Sequence, residues 1–165
     1  MVLADRLSYI NHQKSISKVT RVLQAQASRG PRFVVGLIDE DKKSEDLHYL
    51  RQFNRLHRAH SGPSCRFCVY QHSGLASHFL VVLEPACDTW IFDVAIAAGL
   101  NLANFDLLST LAGFIAFVKD EGAENNPQLR SLLQAIKQAQ PTAYRKLAEF
   151  VADVMDMSSK LWQQT

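Results

Sequence analysis

Cysteine is scarce in this chain, with three in 165 residues. An odd number cannot all pair within one chain, so a disulfide framework is excluded and a reducing compartment is expected. Glycine and proline are also few, seven and five, which excludes a collagenous or low-complexity protein. No long hydrophobic run is present. The longest, Leu107–Val118, falls far short of the ~20 residues a bilayer-spanning helix needs. The opening MVLADRLSYINHQK lacks the basic segment and apolar run of a secretory signal. The expectation is a soluble, cytoplasmic protein without membrane contact. At 47% apolar and 21% charged, the composition suits one compact domain. An α/β core over about 1–100 and a helical extension over about 101–165 are expected.

Charge of one sign is missing from the middle of the chain. Residues 67–118 contain no Lys or Arg but carry Glu84, Asp88, Asp93 and Asp106. Residues 1–66 hold 12 basic residues against 6 acidic ones, and all six histidines lie between His12 and His78. A basic first part beside a sparse acidic centre suits a surface that attracts phosphates. A solvated, functionless face gives the same composition.

Periodicity predicts a helix over 12–28, with Ile16, Val19, Val22 and Leu23 as its apolar stripe. Lys14, Lys18 and Arg21 share another face at i, i+4 and i+7. Arg32–Ile38 reads as a strand buried on both faces. A second helix is predicted over about 46–59, burying Leu47, Leu50, Phe53 and Leu56 and presenting Arg51, Arg55 and Arg58 as a second basic stripe. Arg66–His72 and His78–Leu83 read as strands. Helices follow from Pro85 to about Ala98, and over about 107–119, 128–139 and 142–162. Alternating strands and helices predict a three-layer α/β domain: a small, mostly parallel sheet, helices on both faces and a helical C-terminal cap.

The candidate chemistry lies at strand ends, where open α/β sheets bind ligands. The first strand ends Leu37-Ile38-Asp39-Glu40-Asp41-Lys42. Strand alternation aims Asp39 and Asp41 the same way and Glu40 the other. Two carboxylates at one spot repel, and a divalent cation relieves the repulsion. Hard oxygen donors favour Mg²⁺, or Mn²⁺ in its place. The strand at His78–Leu83 also runs into an acid, Glu84, with Asp88 one helical turn later. The simpler use of each acid is to cap a helix N-terminus. Lys42 and Lys43 stand where they could meet phosphate.

The stretch VVGLIDEDKK, a helix, a strand and then LEPACDTWIF resemble the Toprim domains of OLD-like and RloB-like nucleases. Asp39 and Asp41 match the family's Asp-x-Asp strand end, and Pro85, Asp88 and Trp90 match its later proline, acid and tryptophan. The similarity covers about residues 4–98. It implies Mg²⁺-dependent phosphodiester cleavage or transfer, in DNA processing or phage defence. Asp39, Asp41, Glu84 and Asp88 would then be the catalytic carboxylates, with Asp39, Asp41 and Glu84 on the metal. Lys14, Lys18, Arg21, Lys42, Lys43, Arg51, Arg55 and Arg58 would hold DNA or RNA. A Toprim domain opens with a strand ending in Glu, and the nearest acid here, Asp5, has no strand before it. The alternative is a catalytically inactive Toprim-like binding or protein-interaction module, acting as a homodimer or with a partner subunit.

Three further patterns carry less. Cys65-Arg-Phe-Cys68 sits on a strand, where i and i+3 face opposite ways, so it is not expected to chelate zinc. His48, His57 and His60 could contact phosphate or lie on the surface. Glu40-Asp41-Lys42 fits half of a restriction-type nuclease motif but lacks a preceding acid on a neighbouring strand.

Overall fold

A computed structural model describes residues 15–29, 33–40, 48–62, 65–119 and 125–162, with side chains to Asp156. Helix α1 spans Ile16–Ala27, capped by Ser15, whose Oγ accepts from the Lys18 N–H at 3.3 Å. Strand β1 follows at Val34–Asp39. A single 3₁₀ turn, Leu50–Gln52, leads into β2 at Phe53–Ser61. Strands β3 (Arg66–His72) and β4 (His78–Glu84) complete the sheet. Helices α2 (Cys87–Ala97), α3 (Leu111–Val118), α4 (Pro127–Ala139) and α5 (Thr142–Trp162) close the chain. Among the described residues no helix is long and apolar enough to cross a membrane.

The sheet order is β1-β4-β3-β2. Only β1 and β4 are parallel, while β4–β3 and β3–β2 are antiparallel. The expected mostly parallel sheet is therefore overturned, and with it the Toprim-like architecture. The cause is local. Residues 53–59 form an edge strand, not the second half of a helix. A parallel pair needs a crossover of a dozen or more residues. The connections 62–65 and 73–77 are far shorter, so β2, β3 and β4 meander. Leu56, expected in a buried helical stripe, is 62% exposed. Arg51, Arg55 and Arg58 accordingly do not share a helical face. Arg51 stands in the 3₁₀ turn, and Arg55 and Arg58 on β2 are separated by a register shift between Leu56 and Arg58.

Two apolar clusters sandwich the sheet. Strand β4 feeds both because successive side chains alternate. Phe79, Val81 and Leu83 join Phe67 and Val69 beneath α2–α5, where Val94, Phe114, Leu132 and Phe150 are fully buried. Leu80 joins Ile38, Tyr49, Leu50, Phe53 and Leu23 on the α1 side. Gly36 lets α1 settle onto β1. A Cβ there would stand 2.9 Å from Leu23 Cδ1 and 3.2 Å from Leu80 Cδ1. Gly99 ends α2 in the left-handed region (φ 71°), with Gly99 N–H on the Ile96 carbonyl and Leu100 N–H on the Ala95 carbonyl. Those two bonds are the pattern that stops a helix at glycine. Pro85, expected in the first turn of α2, lies before its N-cap, Ala86.

A polar group is buried at the N-terminal end of β4. His72 and His78 are buried, with ring centroids 6.4 Å apart, and His72 packs 5.5 Å from Tyr49 and 5.1 Å from Phe53. His72 Nδ1 accepts the Gly74 N–H at 3.0 Å, which places the proton of the neutral ring on Nε2. Neither that Nε2 nor His78 Nε2 has a hydrogen-bond partner. Burial holds both imidazoles below their ordinary value of 6.5, and at His78 the His72 charge adds to it. The unfolded chain thus binds more protons than the fold as pH drops through ~6.5, and stability falls with it. We expect the urea midpoint to drop between about pH 7.5 and about pH 5.5, and His72→Phe with His78→Phe to flatten that dependence. An unchanged slope in the double variant would show that other groups set it.

Candidate nucleic-acid interface

The acids divide between the two faces of the sheet. Asp39 is paired in register with Leu83, so its side chain faces α2. Its Oδ1 accepts the Cys87 N–H at 2.7 Å. The reason is plain in the sequence: Ala86, the N-cap of α2, has no side-chain oxygen for the unpaired N–H groups of the first turn. Asp39 supplies that oxygen from across the sheet, and its charge suits the positive helix end. Asp88 lies in the same first turn and accepts from the Thr89 N–H at 2.7 Å. Between them, the Cys87 thiol is pushed up to about 11 by burial, with the Asp39 and Asp88 charges adding. It stays protonated and unreactive.

Glu84 faces the other way. It lies opposite Arg66 on β3, whose Nε is 3.5 Å from its Oε2. Beside it, the Cys68 thiol and Tyr70 hydroxyl share a hydrogen bond. Burial is the main cause raising the pKa of both groups; at Cys68 the Tyr70 hydrogen bond offsets part of it before Glu84 and Glu40 add to the rise, and at Tyr70 Cys68 adds to it ahead of Glu84 and Glu40. Glu40 therefore accompanies Glu84, and Asp39 accompanies Asp88. Asp41 lies outside the described residues.

A Mg²⁺ ion needs oxygen ligands at ~2.1 Å from one point. Side chains on opposite faces of a sheet cannot meet that demand, so Asp39 and Glu84 do not fit a shared ion. Among the described residues no group of three or more His, Cys, Asp or Glu side chains is placed to hold a metal.

The basic residues are distributed differently from the two expected stripes. Lys18 and Arg21 are exposed on α1, and Arg51 and Arg55 are exposed around the start of β2. Arg58 is half-buried, paired with Asp153 of α5 and stacked 5.8 Å from the centre of the Phe150 ring. It fastens α5 to β2 and is not available to a ligand. Lys14, Lys42 and Lys43 lie outside the described residues.

A cleft of about 260 Å³ opens between α1 and residues 48–49. Ser17, Thr20, Arg21 and Gln24 line one wall, and His48 and Tyr49 the other. The spacing 17, 20, 21, 24 puts the four on one helical face. Among the described residues no carboxylate lines the cleft. Thr20 Oγ1 donates to the Ile16 carbonyl at 2.8 Å and leaves only its lone pairs for a ligand. Tyr49 is buried, and its hydroxyl has no hydrogen-bond partner. Burial raises the pKa of that hydroxyl, which keeps it a donor. Arg21 and His48 were legible as phosphate contacts in the sequence. Ser17, Thr20, Gln24 and Tyr49 were not, although the helical spacing of the first three to Arg21 was a usable signal.

No protein-family model, no curated protein and no solved structure matches the chain.

The contact from Asp39 to α2 sets an expectation for stability. Asp39→Ala should lower the unfolding free energy by ~0.5–2 kcal/mol in urea titration, the usual cost of a lost N-terminal cap. Asp39→Asn, which keeps an acceptor oxygen, should lose less. Equal stability of wild type and Asp39→Ala would mean that α2 does not depend on this contact.

Proposed function

We propose that the protein is a non-catalytic module that binds the sugar–phosphate backbone of nucleic acid. The observation that carries this reading is the pairing of exposed cations on α1 with the cleft beside them. Lys18 and Arg21 are exposed at i and i+3 of α1, and Arg21 lines the cleft opposite His48. The acids, in contrast, are engaged within the fold: Asp39 on α2 and Glu84 on Arg66. Of the two readings open in the sequence, metal-dependent cleavage gathers Asp39 and Asp41 with Glu84 or Asp88 around one ion. Glu84 lies on the opposite face from Asp39, and Asp88, on the same side as Asp39, is engaged like it by a backbone N–H of the first turn of α2, which favours the binding module.

Binding of this kind draws on phosphate neutralisation and counterion release, so it is salt-sensitive and carries little sequence information. Fluorescence anisotropy with a labelled single-stranded oligonucleotide tests it. We expect affinity to fall as salt rises from about 50 to about 200 mM, and Arg21→Ala or Lys18→Ala each to reduce the log–log salt slope by about one. Arg58→Ala should leave that slope unchanged. An absence of salt-dependent binding at low ionic strength would overturn the proposal. Strand cleavage in Mg²⁺ that disappears in Asp39→Ala would replace it with the catalytic reading.

A further inference from the structure

We infer that the cleft between α1 and residues 48–49 is a pocket for a terminal phosphate monoester, the phosphorylated end of a nucleic-acid strand. The inference rests on the binding-module reading above and specifies which part of the strand enters the fold.

Three observations support it. The first is the donor set. Arg21 offers a planar fork of N–H groups, His48 an imidazole N–H, Ser17 a hydroxyl and Gln24 an amide NH₂, with no carboxylate on either wall among the described residues. An internal phosphodiester presents two non-bridging oxygens and one charge. A monoester presents three acceptor oxygens and a charge of about −1.5 to −2 near neutrality. Four donor-bearing side chains lining one cleft match the monoester better.

The second observation is size. About 260 Å³ corresponds to roughly nine waters at ~30 Å³ each. That is room for one phosphorylated nucleotide end and far too little for a duplex. The third is the Tyr49 hydroxyl. Tyr49 lines the cleft, is 8% exposed, and carries a buried O–H without a partner. A buried polar group left unpaired costs free energy, and a ligand oxygen reaching it would remove that cost. The neighbouring Thr20 side chain contributes only lone pairs, so it suits the sugar hydroxyl of a terminal nucleotide and not the phosphate.

The test compares one labelled single strand in three forms: 5′-phosphorylated, 3′-phosphorylated, and with hydroxyls at both ends. Affinity is read by anisotropy at fixed salt on the full chain. One phosphorylated form is expected to bind about tenfold or more tightly than the dihydroxyl form, as charge-assisted hydrogen bonds to an added phosphate imply. Arg21→Gln and Ser17→Ala should each erode that preference, while Lys18→Ala should weaken all three forms alike. Equal affinity for the three forms, with Lys18→Ala still weakening them, would overturn the pocket and leave the binding module standing. A preference that survives Arg21→Gln would also overturn the pocket, by placing the phosphate elsewhere. Failure of every form to bind at low salt would overturn both readings. Circular dichroism of each variant separates lost binding from lost fold.

Discussion

Strand β4 is the element on which the remainder of the molecule is assembled. It is hydrogen-bonded on both edges, parallel to β1 and antiparallel to β3. It also faces apolar side chains on both sides, with Phe79, Val81 and Leu83 in one cluster and Leu80 in the other. Fully burying a side chain of this kind contributes ~1.5–3 kcal/mol. Four of them outweigh any single cap or surface ion pair in the fold. The register of β4 against its neighbours therefore determines where every polar group on the sheet points. It sends Asp39 to α2 and Glu84 to Arg66, and it encloses His78 at the strand's start.

That register also explains why acids and bases have separate uses. The strand-end carboxylates are drawn inward by backbone and side-chain partners that the fold would otherwise leave unsatisfied. Two arginines of the sheet are tied to a carboxylate. Arg58 is bound to Asp153 and Arg66 to Glu84. Each of these pairs is partly solvent-exposed, so its own contribution is small, ~1 kcal/mol or less. Their effect is to neutralise two cations at the surface. Lys18 and Arg21 are exposed on α1, and with His48 they define one electropositive side.

The elements legible in the sequence were those with one dominant period. Helix α1, strands β1, β3 and β4 and the C-terminal helices emerged within a few residues of their observed limits. The segment around β2 did not. Leu50, Phe53 and Leu56 have helical spacing, yet only Leu50 and Phe53 are buried. An edge strand needs one good row of contacts, and pairing with β3 outweighed the local helical preference. Misreading that one segment converted a meander into an imagined crossover and made the sheet mostly parallel. The site was legible to a similar degree. Acids at the ends of β1 and β4 were evident from the chain alone. Their facing was not, because it depends on pairing Asp39 with Leu83 across a long stretch of chain, which no local pattern encodes. The cleft combines one face of α1 with a two-residue turn segment, so only its cations carried a signal.

The rim formed by β2 has a consequence for how the protein keeps company with itself. Two register shifts break its pairing with β3, and Arg55 projects from it beside an exposed Leu56. An incoming strand from a second molecule would meet a kinked ladder and a positive charge facing its own. The open sheet thus ends in a margin that resists growing into a fibril.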